Sequence, residues 1–139
     1  TKTLPAEAPI HQMRVRMTID RERNIIDVQA FSEHTPYPDC MEVEAGYRQL
    51  IGLRIEPGFT REVKRLFRGT QGCSHMTELL LPMASTAFQV IWGEGEFGDA
   101  VDAAGSGRRT SPLGGCHALR LDGQIVKTHF PQAFKESHS

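Results

Sequence analysis

No stretch of this sequence approaches 18 consecutive apolar residues, so a transmembrane helix is not expected. No charged segment followed by an apolar run opens the chain, and a secretory signal is not expected either. Charge of one sign is missing too. Lys+Arg number 16 against 17 Asp+Glu, a formal net charge of −1, which gives no electrostatic reason to expect nucleic acid or an anionic membrane surface as partner. Cysteine is scarce and odd in number, with only Cys40, Cys73 and Cys116, widely separated. Secreted disulfide scaffolds are short and Cys-dense with even counts, so reduced thiols in a cytoplasm are the better expectation. The phosphate loop, the G-x-S-x-G elbow, C-x-x-C and H-E-x-x-H are all missing.

What remains is a soluble, globular composition. Hydrophobic residues are 39% and charged residues 24% of 139 residues, enough chain to bury a core without staples. One domain over 1–139 is expected, with 1–12 as an extended lead-in carrying Pro5 and Pro9. Met13, Val15, Met17 and Ile19 alternate with polar residues, as do Ile26, Val28 and Ala30. Period 2 on both sides of the polar stretch Asp20–Asn24 predicts an antiparallel hairpin. Pro36 and Pro38 argue against regular structure around Cys40. Val43, Tyr47, Leu50 and Ile51 form a helical stripe. Thr60 is placed to cap a short helix carrying Val63, Leu66 and Phe67 and ending near Gly69. From Ser74 to about Trp92 the positions Met76, Leu79, Leu80, Met83, Ala87, Val90 and Ile91 predict the longest helix, kinked or divided at Pro82. Seven of the 13 glycines fall in 93–115, which reads as a flexible loop. Asp122-Gly123 between the alternating runs 116–121 and 124–129 predicts a second hairpin. The expected fold class is α+β: one antiparallel sheet from two hairpins, with helices packed on one face.

Three places could carry chemistry. Gly72-Cys73-Ser74-His75 stands at the head of the long helix, where free N–H groups and the positive dipole end favour a thiolate; His75 follows within reach. Cys73 is thus a candidate nucleophile or metal ligand with His75 as base, and the alternative is a small packed cysteine beside a surface histidine. In the second hairpin, the two-residue turn sets Cys116 opposite His129 on one face, about 4.5–5.5 Å apart at Cβ, with His117 pointing the other way. Cys40 follows His34 in the stiff proline loop. Sulfur and imidazole donors of this kind suit zinc or iron. A metal set of Cys40, Cys73, Cys116, His117 and His129 is therefore weighed beside thiol chemistry on a small-molecule metabolite. No nucleic-acid or membrane partner is expected, and an oligomer is compatible with the sequence.

Several segments resemble one bacterial family, domain-of-unknown-function family 2889. They are Met13–Asp20, Pro36-Tyr37-Pro38-Asp39-Cys40, Leu50–Ile55 with Pro57-Gly58-Phe59-Thr60, and above all Gly72-Cys73-Ser74-His75-Met76-Thr77-Glu78-Leu79-Leu80. The resemblance spans roughly residues 9–134, and Cys116-His117-Ala118 is similar to the family pattern as well. It implies an additional N-terminal region in most members and a role in aromatic-compound catabolism. The order of hairpin, loop cysteine, helices and helix-head cysteine is also similar to the iron–sulfur scaffold fold of the NifU type. That likeness implies convergence of Cys40 and Cys73 on one site, and a non-catalytic metal-binding scaffold or assembly subunit as the alternative function.

Overall fold

A computed structural model describes residues 3–94 and 111–136 of the chain. The chain divides into two compact units, Thr1–Phe88 and Gln89–Ser139.

The first unit opens with a two-stranded antiparallel hairpin, β1 (Gln12–Ile19) and β2 (Ile25–His34), with Val15 opposite Ala30 and Met17 opposite Val28. Alternation in β1 turns Met13, Val15, Met17 and Ile19 toward the core, where they pack on its buried residues. The turn is tied by the Asp20 carboxylate, which accepts from the Asn24 backbone N–H and side-chain amide, both at 2.7 Å. Arg23 closes it in the left-handed region at φ 68°. Backbone bonds from Ile25 to Leu53 and from Gly52 to Ile25 lay the following loop along the start of β2.

Helical elements complete the unit. Pro38–Met41, which its prolines were expected to leave irregular, forms a short 3-10 turn with Pro38 at its first position, where the missing N–H is harmless. Glu44–Leu50 is 3-10 as well, where the stripe predicted ordinary helix. At three residues per turn Glu44, Tyr47 and Leu50 share one side. Glu44 accepts from the Ser32 N–H of β2 at 2.7 Å, and Tyr47 and Leu50 are fully buried. Helix α1 (Phe59–Leu66) starts after Gly58, whose φ of 104° suits glycine, rather than on a Thr60 cap; it buries Phe59 and Val63.

Helix α2 (Ser74–Glu94) runs undivided through Pro82, which faces outward, with the Thr86 hydroxyl donating to the Pro82 carbonyl at 3.1 Å. Met76, Leu80 and Ala87 are its buried apolar positions, and they join Ile25, Val28, Tyr47, Leu50, Ile55, Phe59, Val63 and Phe67 in one core. Leu79 and Val90, expected on the core stripe, are exposed.

In the second unit the expected second hairpin does not form. Gln124–His129 is a helix, α3, with Gly123 at its N-cap in extended backbone at φ −89° and ψ 156°. A two-residue hairpin turn of the favoured kind needs positive φ at both central residues. Neither Asp122 nor Gly123 has it. Gly123 is instead buried against Arg120, where a Cβ would meet the Arg120 carbonyl oxygen at 3.0 Å. Helical spacing places Val126 and Phe130, both buried, on one side, with the Trp92 ring 5.4 Å from that of Phe130. Among the described residues the sheet is therefore the single hairpin β1–β2, and the fold class is α+β. The expected flexible loop 93–115 lies outside the described residues except for Gly93–Glu94, which end α2, and 111–115, which form turns. In the expected lead-in 1–12, a turn is closed by the Ala8 N–H on the Pro5 carbonyl at 3.1 Å. No helix of the described residues is long and apolar enough to cross a membrane.

Candidate functional site

The head of α2 is built by contacts from three other parts of the first unit. Cys73 immediately precedes the helix, and its carbonyl accepts the first helical bond, from the Thr77 N–H at 2.9 Å. The hydroxyl of Tyr47, a fully buried residue, holds the same turn. It accepts from the Cys73 N–H at 3.0 Å, and it lies 3.0 Å from the Cys73 carbonyl and 2.9 Å from the Thr77 hydroxyl. One phenolic proton can serve only one of these two acceptors, so when Tyr47 donates to Cys73 the Thr77 hydroxyl donates to Tyr47. Burial pushes the Tyr47 hydroxyl above its ordinary pKa of 10.0, partly offset by its bonds to Thr77 and to the Cys73 backbone. The Tyr47 ring stacks on Phe67 at 4.4 Å.

Gly72 is required by this closeness. Its backbone is extended, so its conformation is open to any residue. A Cβ there, however, would meet the Phe67 Cβ at 2.7 Å and the Tyr47 hydroxyl oxygen at 3.2 Å. The Gly-Cys-x-His segment thus combines a packing requirement at its first position with chemical groups at its second and fourth.

Those groups meet. The half-buried Cys73 Sγ lies 3.8 Å from Nδ1 of the exposed His75. A third group, unmarked by any sequence motif, joins them: the ring of His11, just before β1, lies 4.4 Å from the His75 ring at a tilt of 36°. No periodicity or spacing could have indicated His11, because it comes from the irregular lead-in and reaches the site through the fold.

The other expected site residues stand apart from this pair or by themselves. Cys40 is half-buried on the Pro38–Met41 turn and is a free thiol. Among the described residues no group of three or more His, Cys, Asp or Glu side chains is gathered so as to hold a metal ion, so Cys40 does not complete a set with Cys73 and His75. His34, opposite Gln12 at the open end of the hairpin, is exposed. In the second unit, Cys116 is exposed in a turn and His129 ends α3. They are not cross-strand neighbours, because the strands that would pair them are not there. His117 is exposed, with Nε2 at 3.5 Å from the Arg120 guanidinium.

A family model described as "Protein of unknown function (DUF2889)" matches residues 1–89, well over half of the chain, and the chain belongs to that family. The match ends one residue beyond the first compact unit, so it takes in Cys40, Cys73 and His75. The Cys116-His117-Ala118 element, read above as part of the family pattern, falls beyond it, and the match does not extend to the NifU-type fold. No curated protein matches the chain, and no solved structure does.

Proposed function

We propose that this member of the DUF2889 family is a small Cys/His-site protein that binds a soft divalent metal ion through Cys73 and His75, and that the site serves chemistry on a small metabolite. The observation that carries this reading is the 3.8 Å between Cys73 Sγ and His75 Nδ1. Two donors on one tetrahedral zinc, with Zn–S near 2.3 Å and Zn–N near 2.0–2.1 Å, stand about 3.6 Å apart. The same separation is also within the longer reach of a sulfur hydrogen bond, so it serves the thiol–base reading below as well. Zinc fits a sulfur–nitrogen donor pair best, with iron the next candidate. Free cysteines suit a reducing cytoplasmic setting. Aromatic-compound catabolism is the metabolic context that the family resemblance suggests.

Metal analysis of natively purified protein tests this directly. Zinc or iron should accompany the wild-type chain and be lost from Cys73→Ser. A wild-type chain that carries no ion and takes up no added zinc overturns the reading. Single substitutions of Cys40, Cys116, His117 and His129 test whether the wider ligand set contributes.

A second reading has its own support: among the described residues no metal-holding group of three is gathered, and His75 is a base within hydrogen-bond reach of the Cys73 thiol. In it Cys73 is a nucleophile and His75 its base. Rapid alkylation of Cys73 without any chelator favours that chemistry, whereas alkylation only after chelation favours the metal. In either form the alternative to an enzyme is a non-catalytic metal-binding scaffold or a subunit of a larger assembly.

A further inference from the structure

We infer that the outer edge of β1 is a docking site for an extended segment of another protein, one that alternates apolar and acidic residues and joins the hairpin as a third strand. The two edges of the hairpin differ. The outer edge of β2 is closed at three places. Ile25 donates to the Leu53 carbonyl at 2.8 Å and accepts from the Gly52 N–H at 2.9 Å. The Arg48 guanidinium reaches the Val28 carbonyl at 3.5 Å, and the Glu44 carboxylate accepts from the Ser32 N–H at 2.7 Å. These last two bonds also fix the phase of the ladder. In an antiparallel pair, residues whose N–H and C=O point away from the partner strand alternate with residues whose groups point toward it. Val28 and Ser32 point away, so Ala30 between them does too, and so do their partners Met17, Met13 and Val15 on β1. The N–H and C=O groups of Met13, Val15 and Met17 therefore line the outer edge of β1. Among the described residues none of them bonds to any other group.

The side chains along that edge set the chemistry of the occupant. Met13, Val15 and Met17 turn toward the core but are only half-buried, so apolar residues of an added strand would extend the covered face. Arg14 and Arg16 stand on the opposite face, and β1 carries no acid from Gln12 to Ile19. The acids of β2 are already engaged, Asp27 by Arg48 at 3.0 Å and Glu33 by Arg14 at 3.1 Å. Arg16 has no ion pair among the described residues, and an acidic residue of the added strand would supply one. Main-chain bonds at an open edge give such docking its affinity, and alternate side chains give it specificity. A second copy of this chain fits poorly. Antiparallel pairing about a two-fold axis sets Arg14 opposite Arg16, or Arg16 opposite itself, in both registers that overlap most of β1. The arginines thus disfavour self-association at the edge while favouring an acidic partner.

The probes are two synthetic peptides, one of repeated Val-Glu and one of repeated Val-Lys, titrated into the isotopically labelled full chain and followed by amide NMR. In the free chain the amides of Met13, Val15 and Met17 should exchange rapidly with solvent. The Val-Glu peptide should shift these signals and slow their exchange, and the Val-Lys peptide should not. Methylating the backbone nitrogens of the Val-Glu peptide should abolish binding, because the main-chain bonds are then lost. Arg16→Glu should weaken binding at least about 5-fold, the effect of turning an attractive cross-strand pair into a repulsive one. Arg61→Glu, an equal change of charge at an exposed position of α1, should bind as wild type does. No shift at the highest soluble concentration of the Val-Glu peptide overturns the proposal. So does equal binding of the Val-Lys peptide, or wild-type affinity in Arg16→Glu. Protection of the Met13, Val15 and Met17 amides before any peptide is added also overturns it. The edge is then covered by the chain itself if sedimentation gives a monomer, or by a second copy if it gives a dimer.

Discussion

The head of α2 and the segment 116–129 look alike in sequence, the first with one cysteine and one histidine and the second with one cysteine and two histidines, each next to a glycine, yet the fold treats them differently. At Gly72–His75 the local pattern survives because distant residues support it: Tyr47 bonds both backbone groups of Cys73, and Phe67 packs so tightly that only glycine fits at 72. At 116–129 the local pattern is a hairpin signal, and burial of Val126 and Phe130 at helical spacing turns Gln124–His129 into α3. A strand pair needs partners on its face, whereas a short helix needs only one side to bury. Local chemistry is therefore dependable where long-range contacts hold it.

The largest expected effect comes from removing the support common to the whole first region. Leu80, fully buried on α2, should cost about 2–5 kcal/mol on Leu80→Ala, and denaturant unfolding of the full chain measures it. Less than about 1 kcal/mol would mean that α2 is not packed as described.

Next come the two residues that distinguish the first region from the second. Gly72→Ala must move Phe67 or Tyr47, and a loss of about 1–3 kcal/mol is expected. Tyr47→Phe leaves the Cys73 N–H without its acceptor and should lose about 1–3 kcal/mol, with amide NMR shifts changing at Cys73 and Thr77. A Tyr47→Phe chain as stable as wild type, with those amides unmoved, would erase the contrast between the regions.

The second region has a smaller test. Gly123→Ala should cost about 1 kcal/mol, because a Cβ crowds the Arg120 carbonyl, and the Gln124–His129 Cα chemical shifts should remain helical. Strand-like shifts there would restore the hairpin and the Cys116–His129 pairing.

The smallest effect concerns the turn of the hairpin that does form. The bond from the Asn24 side chain holds the Asp20 carboxyl below its ordinary pKa of 3.8, helped by the Asn24 backbone N–H. The folded chain thus binds this proton less readily than the unfolded one. The contribution is fully present above pH 3.8 and is lost as pH falls through the lower folded value. Asp20→Asn should flatten that acid limb in urea midpoints, and an unchanged limb would remove Asp20 from the account.

Much of the first unit was legible because its signals are periodic and agree with burial. Alternation in Met13–Ile19 marked β1, and the recurrence of Met76, Leu80 and Ala87 marked α2 through Pro82, whose outward position lets the helix continue. The stripe around Tyr47 announced a helical element but not its pitch. That pitch follows from Glu44 reaching Ser32 while Tyr47 and Leu50 reach the core.

The sequence by itself determined the elements whose cause is local: the first hairpin, the long helix, and the pairing of Cys73 with His75 across two residues at a helix head. The tertiary structure decided the rest. Asp122-Gly123 suits a hairpin turn or a helix start equally well, and packing of Gly123 against Arg120 with Val126 buried chose the helix. His11 carries no periodic or motif signal, and only closure of the hairpin onto the core brings its ring to His75. Residues that meet through the chain's own short-range geometry can be read in one dimension; residues that meet because two buried faces fit together cannot.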